Sequence, residues 1–162
     1  AALLVLANHL AGSNLAQALP VARTWPRPRR VKLTLHGRYD SAQHFGISAA
    51  LAAWAGEPAA NAIGLDKEIR DARGGSGFSF ADLAADRAGT RFGELVAEGS
   101  TRLEQALRGA LTDAELAPAL DGLPENLTED EFERRFGDRD SASYRQLSSE
   151  IEARLAALPL YR

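Results

Sequence analysis

Residues 66–89, DKEIRDARGGSGFSFADLAADRAG, place charged side chains at helical spacing on both sides of the glycine-rich segment GGSGFS. After this segment, Ser79 is a typical helix N-cap, and Asp82 stands three residues later, where a capping box has its acidic partner. Before it, Pro58 suits the first turn of a helix. We therefore predict two helices, 58–73 and 80–98, separated by the glycine-rich segment.

Helical signals also dominate the rest of the chain. A first helix should end before Pro20, and Thr-x-x-Glu capping boxes at Thr101, Thr112 and Thr128 mark later helix starts. The further predicted helices are 2–19, 40–55, 101–110, 112–120, 129–136 and 141–158. The segment VKLTLH alternates apolar and polar residues and should be extended or half of a small ribbon.

These elements predict an all-α fold. We expect a compact multi-helix bundle around a central three-helix unit, with at most one short extended ribbon near 31–36. A length of 162 residues fits a single domain. Its parts would be an N-terminal helix with a basic linker (1–39), a motif-bearing core (40–98) and C-terminal helices (99–162).

Composition excludes several kinds of site. The chain has no cysteine, so disulfides and thiolate metal sites are excluded. No apolar run approaches the roughly 20 residues that cross a bilayer, and the first residues lack the charged start of a signal peptide. We therefore expect membrane association only through a removed anchor.

The distribution of charge is uneven. Residues 1–39 carry six basic side chains and no acid, so the net charge of −3 leaves −9 for the remainder. All six basic residues lie in the segment 23–38. This segment either binds an anionic partner or docks on the acidic part of the protein itself. A pI near 5.6 and few aromatic residues argue against nucleic acid as the partner.

Three helices carry polar stripes. They are Asp40, His44 and Ser48; Asn61, Gly64, Glu68 and Asp71; and Asp82, Asp86, Gly89 and Gly93. Each glycine inside a helix costs about 1 kcal/mol of helix propensity, which a close approach of backbones would offset. The carboxylates on that face would then be buried and would need partners. The candidate partners are His44, Lys67, Arg70, Arg87, Ser76 and Ser79.

A converged cluster of one imidazole and several carboxylates supports two kinds of chemistry. Neighbouring carboxylates separate one another's pKa values and so enable general acid–base catalysis. The same groups can hold a divalent cation. Against both stands a structural interpretation, in which Asp66–Arg70 and Lys67–Asp71 are ordinary exposed i, i+4 pairs. A buried ion-pair network that fixes helix register in a scaffold or interaction module is the other alternative.

The segments DSAQHFGISAAL (40–51) and GLDKEIRDARGGSGFSFADLAADRAGTRFGE (64–94) resemble a bacterial lipoprotein family of the YfiM type. More distantly, they are similar to the VanZ-like pattern. The similarity covers about residues 39–94. The matching positions are Asp40, Gln43, His44, Phe45, Lys67, Glu68, Asp71, Ser76, Gly77, Ser79, Asp82, Asp86 and Gly89. The resemblance implies a periplasmic or cell-envelope location in a Gram-negative bacterium.

The leading hypothesis is an envelope protein whose polar pocket hydrolyses or binds a cell-wall or other glycan-like substrate, anionic glycans included. Glu68 would be the general acid/base, Asp82 or Asp86 the second carboxylate, and His44 the orienting or proton-shuttling group. The expected substrate-binding residues are Asp40, Lys67, Asp71, Ser76 and Ser79. No cofactor is assigned, and a divalent cation is the alternative occupant of the cluster.

Overall fold

The computed structural model describes residues 2–12, 16, 20–25, 31–74 and 76–162, and for part of 58–74 it describes the backbone only. Within these residues the chain is all-α, as predicted, with eight α-helices and no β-sheet. The helices are α1 (Ala2–Leu10), α2 (Tyr39–Ala55), α3 (Glu57–Gly74), α4 (Phe80–Ala97), α5 (Thr101–Leu107), α6 (Asp113–Leu116), α7 (Glu129–Phe136) and α8 (Ala142–Ala156).

The central unit consists of α2, α3 and α4, and the α2–α4 contact is the most extensive in the described molecule. Gly89 and Gly93 on α4 make this contact possible, because a Cβ on either residue would collide with a carbonyl oxygen of α2, that of Phe45 or of Ala49. The two helices thus pack with their backbones in contact. The predicted close approach at these glycines is confirmed.

An aromatic core fixes the start of α4. Phe78 and Phe80 are fully buried and lie 4.7–6.4 Å, between ring centroids, from Phe132, Phe136 and Tyr144 of α7 and α8. The backbone of Phe78 also pairs with that of Leu127 in an isolated antiparallel bridge. The C-terminal helices therefore hold in place the end of α4 that carries Asp82 and Asp86.

Several predicted boundaries were wrong. Helix α1 ends at Leu10, not at residue 19, and Gly12 follows it with a φ of +65° that favours glycine. Residues 13–15 and 17–19 lie outside the described residues. Helix α6 ends at Leu116 instead of reaching residue 120, since Pro118 disfavours a helical residue before it. Helix α5 begins at Thr101, as predicted, but its N-cap is Ser100 and not Thr101, and it ends at Leu107 instead of residue 110.

The segment before α2 is extended, as predicted, and it turns back on itself in a bridge between Leu35 and Arg38. The prolines of the basic segment, within 26–30, lie outside the described residues. Arg38, the last basic side chain of that segment, binds Glu125 in the acidic part of the chain. Among the described helices, none combines the length and apolar character that a bilayer crossing requires.

Candidate functional site

Three helices bring one imidazole and three carboxylates together. His44 of α2 lies 3.1 Å from Asp86 and 3.6 Å from Asp82, both on α4, and 3.9 Å from Glu68 on α3. The side chains of His44 and Glu68 are only 7% and 1% exposed. The structure therefore places the four predicted catalytic residues in one cluster, which is buried and is not an open cleft.

His44 is oriented by Asp86. One carboxylate oxygen of Asp86 accepts the hydrogen of His44 Nδ1, and the other accepts the hydroxyl of Ser48 at 2.7 Å. With its proton on Nδ1, the neutral ring presents the lone pair of Nε2 on the Asp82 side. Burial opposes the imidazolium, but the hydrogen bond and charge of Asp86, with the charge of Asp82, outweigh it and raise the pKa of His44.

The space beside Asp86 requires a glycine. A Cβ at Gly64 of α3 would lie 2.8 Å from Asp86 Oδ2. Gly64 belongs to the predicted stripe that also carries Glu68, so its lack of a side chain lets α3 approach the carboxylate that holds His44.

Glu68 reaches from α3 to the N-terminus of α4. Its Oε2 accepts the backbone N–H of Ser79 at 3.0 Å, and its Oε1 lies 3.5 Å from Lys67 Nζ. Burial raises the pKa of Glu68 to about 7, although Lys67 and the Ser79 N–H favour its charged form. Glu68 therefore changes its charge near neutral pH.

Asp82 does not complete the predicted capping box. Its backbone N–H donates to Ser79 Oγ, as expected of a helix cap, but the N–H of Ser79 is taken by Glu68. The carboxylate of Asp82 is thus free to face His44. Its Oδ1 is buried and has no hydrogen-bond partner among the described residues, and burial raises the pKa of Asp82.

Of the predicted substrate-binding residues, Lys67 and Ser79 contact Glu68 of the cluster, and the others lie around it. Asp40 binds Arg38, which lowers the pKa of Asp40 through their hydrogen bond. Asp71 binds Lys67 at 2.5 Å. Ser79 is the cap described above, and Ser76 is exposed, with no described hydrogen bond to the cluster.

Two residues predicted as partners of the buried carboxylates are not seen at the cluster, and one ion pair beside it was not predicted. Arg87 pairs with Glu152 instead of with Asp82 or Asp86, and the side chain of Arg70 lies outside the described part of the chain. Sequence reasoning did not identify Arg38 or Glu125, which bind each other at 2.6 Å across 87 residues of sequence. No local spacing signals a contact over that separation.

His44, Glu68 and Asp82 satisfy the geometry of a metal site. Each offers a ligand atom, and the three atoms lie within 4.8 Å of one another. Metal–ligand bonds of about 2.0–2.2 Å place ligand atoms roughly 3.3–4.4 Å apart, close to the spacing of the three atoms here. Asp86 behind His44 completes the carboxylate–histidine arrangement that commonly orients a metal-binding imidazole.

The cluster lies within residues 39–94, the part of the chain on which the expected YfiM-type resemblance rests. That resemblance and the cluster involve the same side chains, His44, Glu68, Asp82 and Asp86. In comparisons with protein-family models, curated proteins and solved structures, nothing matches this chain.

Proposed function

We propose that this protein binds a divalent metal ion through His44, Glu68 and Asp82, with Asp86 and Ser48 holding His44 in its binding orientation. One imidazole nitrogen and two carboxylates suit first-row cations such as Zn²⁺ and Mn²⁺, and zinc should bind more tightly than manganese. Three protein ligands leave a coordination position for water or a substrate.

The observation that supports this proposal is the unpartnered Oδ1 of Asp82. A buried carboxylate oxygen without a hydrogen bond is costly, and Asp82 lies in a cluster that already contains Glu68 and Asp86. Oδ2 of Asp82 faces His44 and Oδ1 faces Arg38, so a cation held by both oxygens of Asp82 would neutralise these charges and satisfy Oδ1. The charges at the edge of the cluster, Arg38 and Lys67, do not reach Asp82 at hydrogen-bond distance among the described contacts.

The test is metal binding by the purified protein. Chelator-treated protein is titrated with Mn²⁺ and Zn²⁺ by calorimetry, and its melting is followed with and without each ion. A cation at a hundredfold excess over its Kd stabilises by about 2.7 kcal/mol, which raises the Tm of a chain of this size by about 5–10 °C. One ion should bind per chain.

Variants distinguish cation binding at the cluster from non-specific attraction of cations to acidic surfaces. Glu68→Gln and Asp82→Asn keep the shape of each side chain and one acceptor oxygen, but they replace the other oxygen by an NH2 donor and should abolish the Tm rise. Glu133→Gln removes an exposed carboxylate on α7 and should leave the rise unchanged. An equal response in all three variants, or no response in the unmodified protein, would contradict the proposal.

A second candidate is acid–base hydrolysis, which the near-neutral pKa of Glu68 beside His44 favours. Glu68 would protonate a leaving group, and Asp82 or Asp86 would be the second carboxylate. The family resemblance adds the cell envelope as the location and a cell-wall glycan as the substrate class. Release of reducing ends from purified peptidoglycan, lost in a folded Glu68→Gln variant, would support this activity; no release by the unmodified protein would exclude this substrate.

A further inference from the structure

Arg38 lies beside both the buried cluster and a cavity at the surface. The cavity has a volume of about 300 Å³ and lies between the turn that carries His36 and Arg38 and the loop 119–125. Arg38 lines this cavity, and its Nη2 lies 3.8 Å from Asp82 Oδ1. Arg38 therefore borders both the cavity and Asp82.

Two outer carboxylates hold Arg38 away from Asp82. Its Nε and Nη2 donate to Asp40 at 3.1 and 2.8 Å, and its Nη1 donates to both oxygens of Glu125 at 2.6 Å. At 3.8 Å, Asp82 lies beyond hydrogen-bond distance of the same guanidinium. A short movement of Arg38 would satisfy the orphaned Oδ1, yet the guanidinium is bound elsewhere.

We infer that Arg38 is an internal competitor for the cation site, and that Glu125 and Asp40 keep the site available by holding Arg38 off Asp82. This inference rests on the proposed cation binding. A guanidinium stays charged at all relevant pH values and binds carboxylates in bidentate geometry. If Arg38 is released from Glu125 and Asp40, its guanidinium pairs with Asp82 and must be displaced before a cation can bind. Glu125 and Asp40 are therefore positioning residues that set the cation affinity without touching the ion.

A simpler electrostatic effect would also weaken cation binding in Glu125→Gln, and it has to be separated from competition by Arg38. Removing the charge of Glu125 makes the surroundings of the site less negative, which weakens cation binding even if Arg38 does not move. Loss of this direct attraction would persist when Arg38 is neutralised. The competition described above requires Arg38, so it disappears with the arginine. A double-mutant cycle distinguishes the two.

The experiment compares four proteins: unmodified, Glu125→Gln, Arg38→Gln and the double variant, each titrated with Mn²⁺ at constant ionic strength. Glu125→Gln should weaken Mn²⁺ binding about tenfold, and Arg38→Gln should strengthen it severalfold. In the Arg38→Gln background, Glu125→Gln should change the affinity by less than about twofold. Equal effects of Glu125→Gln in both backgrounds, or none in either, would overturn the inference while leaving the cation site intact.

A metal-free measurement separates this inference from the proposed function. In a crystal structure of apo Glu125→Gln, Arg38 Nη2 should move from 3.8 Å to hydrogen-bond distance, about 2.9 Å, of Asp82 Oδ1. An unchanged separation would refute the competition even if Mn²⁺ binds. If the unmodified protein binds no Mn²⁺, the proposed function fails, whereas the position of Arg38 in this variant still reports whether Glu125 holds it.

Discussion

Glu68 accepts the backbone N–H of Ser79, the N-cap of the neighbouring helix α4. In an ordinary capping box this N–H would bond to the acidic residue three positions later, which here is Asp82. A carboxylate from α3 has taken that role across the helix interface. The exchange ties α3 to α4 and leaves the carboxylate of Asp82 turned toward His44.

The metal-free protein should lose stability as pH rises through the range in which Glu68 ionises. Burial holds the pKa of Glu68 near 7 in the folded state, against 4.5 for an ordinary glutamate, with His44, Asp82, Lys67 and the Ser79 N–H facing it. Between these pH values the folded protein binds more protons than the unfolded chain, so the free energy of unfolding falls and then levels off. Glu68 accounts for on the order of 3 kcal/mol of that loss.

Urea unfolding of chelator-treated protein between pH 4.5 and 8 measures this effect. Glu68→Gln should unfold with a smaller pH dependence and should be more stable than the unmodified protein at pH 7.5, since the amide needs no proton. If the cluster is instead a stabilising ion-pair network in a scaffold, Glu68→Gln should be less stable than the unmodified protein at that pH, because the substitution breaks the network and lowers the melting temperature.

The contact between α2 and α4 should not tolerate a methyl group at Gly89. In an open helix, glycine to alanine stabilises by up to about 1 kcal/mol, but here the new Cβ would collide with the carbonyl of Phe45. We expect Gly89→Ala to reduce the free energy of unfolding by about 2 kcal/mol or more, as overpacked cores do. Gly109→Ala, just after the end of α5, is the control, because its Cβ would meet only Ala106 O at 3.5 Å. Equal urea midpoints for the two variants would contradict the close approach.

The central unit was predictable because local spacing encodes it. The positions of His44, Glu68 and Asp86 follow from helical periodicity, and the small residues at Gly89 and Gly93 indicate which helix faces meet. Ser79 was recognisable as a cap from its residue type, its place after the glycine-rich segment and Asp82 three residues later.

Contacts over long sequence separation were not predictable. Arg38 lies at a turn before α2 and Glu125 lies in the loop 119–125, and only the folded chain brings them together. The sequence also did not predict that Glu68, and not Asp82, accepts the hydrogen bond of the Ser79 N–H, because Asp82 stands at the position that a capping box requires. In both cases, tertiary packing selected among partners that the local sequence leaves equivalent.

Ser48 and Ser41 provide a matched test of the orientation of His44. Both serines are buried on α2, but Ser48 donates to Asp86, whereas Ser41 Oγ has no hydrogen-bond partner among the described residues. Ser48→Ala leaves one oxygen of Asp86 unsatisfied and should weaken Zn²⁺ binding about tenfold or more, as loss of an outer partner of a metal-binding histidine commonly does. Ser41→Ala should leave it unchanged. A similar loss in both variants would show that packing, and not the bond to Asp86, is responsible.

Lys67 should limit cation affinity from the other side of the site. Its Nζ lies 2.5 Å from Asp71 and 3.5 Å from Glu68 Oε1, the oxygen that faces His44 at 3.9 Å. A cation on that oxygen would be repelled by the ammonium group, so Lys67→Gln should strengthen Mn²⁺ binding by roughly fivefold at low salt. Because the Lys67 side chain is half exposed, the gain should shrink as ionic strength rises.

The other lysine in the chain makes the comparison specific. Lys32 is exposed, and Lys32→Gln changes the net charge by the same amount as Lys67→Gln. Calorimetric titration of both variants at two salt concentrations should therefore show a gain for Lys67→Gln alone. Weaker binding in Lys67→Gln would mean that the lysine helps to hold Glu68 in place for the ion. Equal gains in affinity in both variants would show that the effect comes from net charge and not from the position of Lys67.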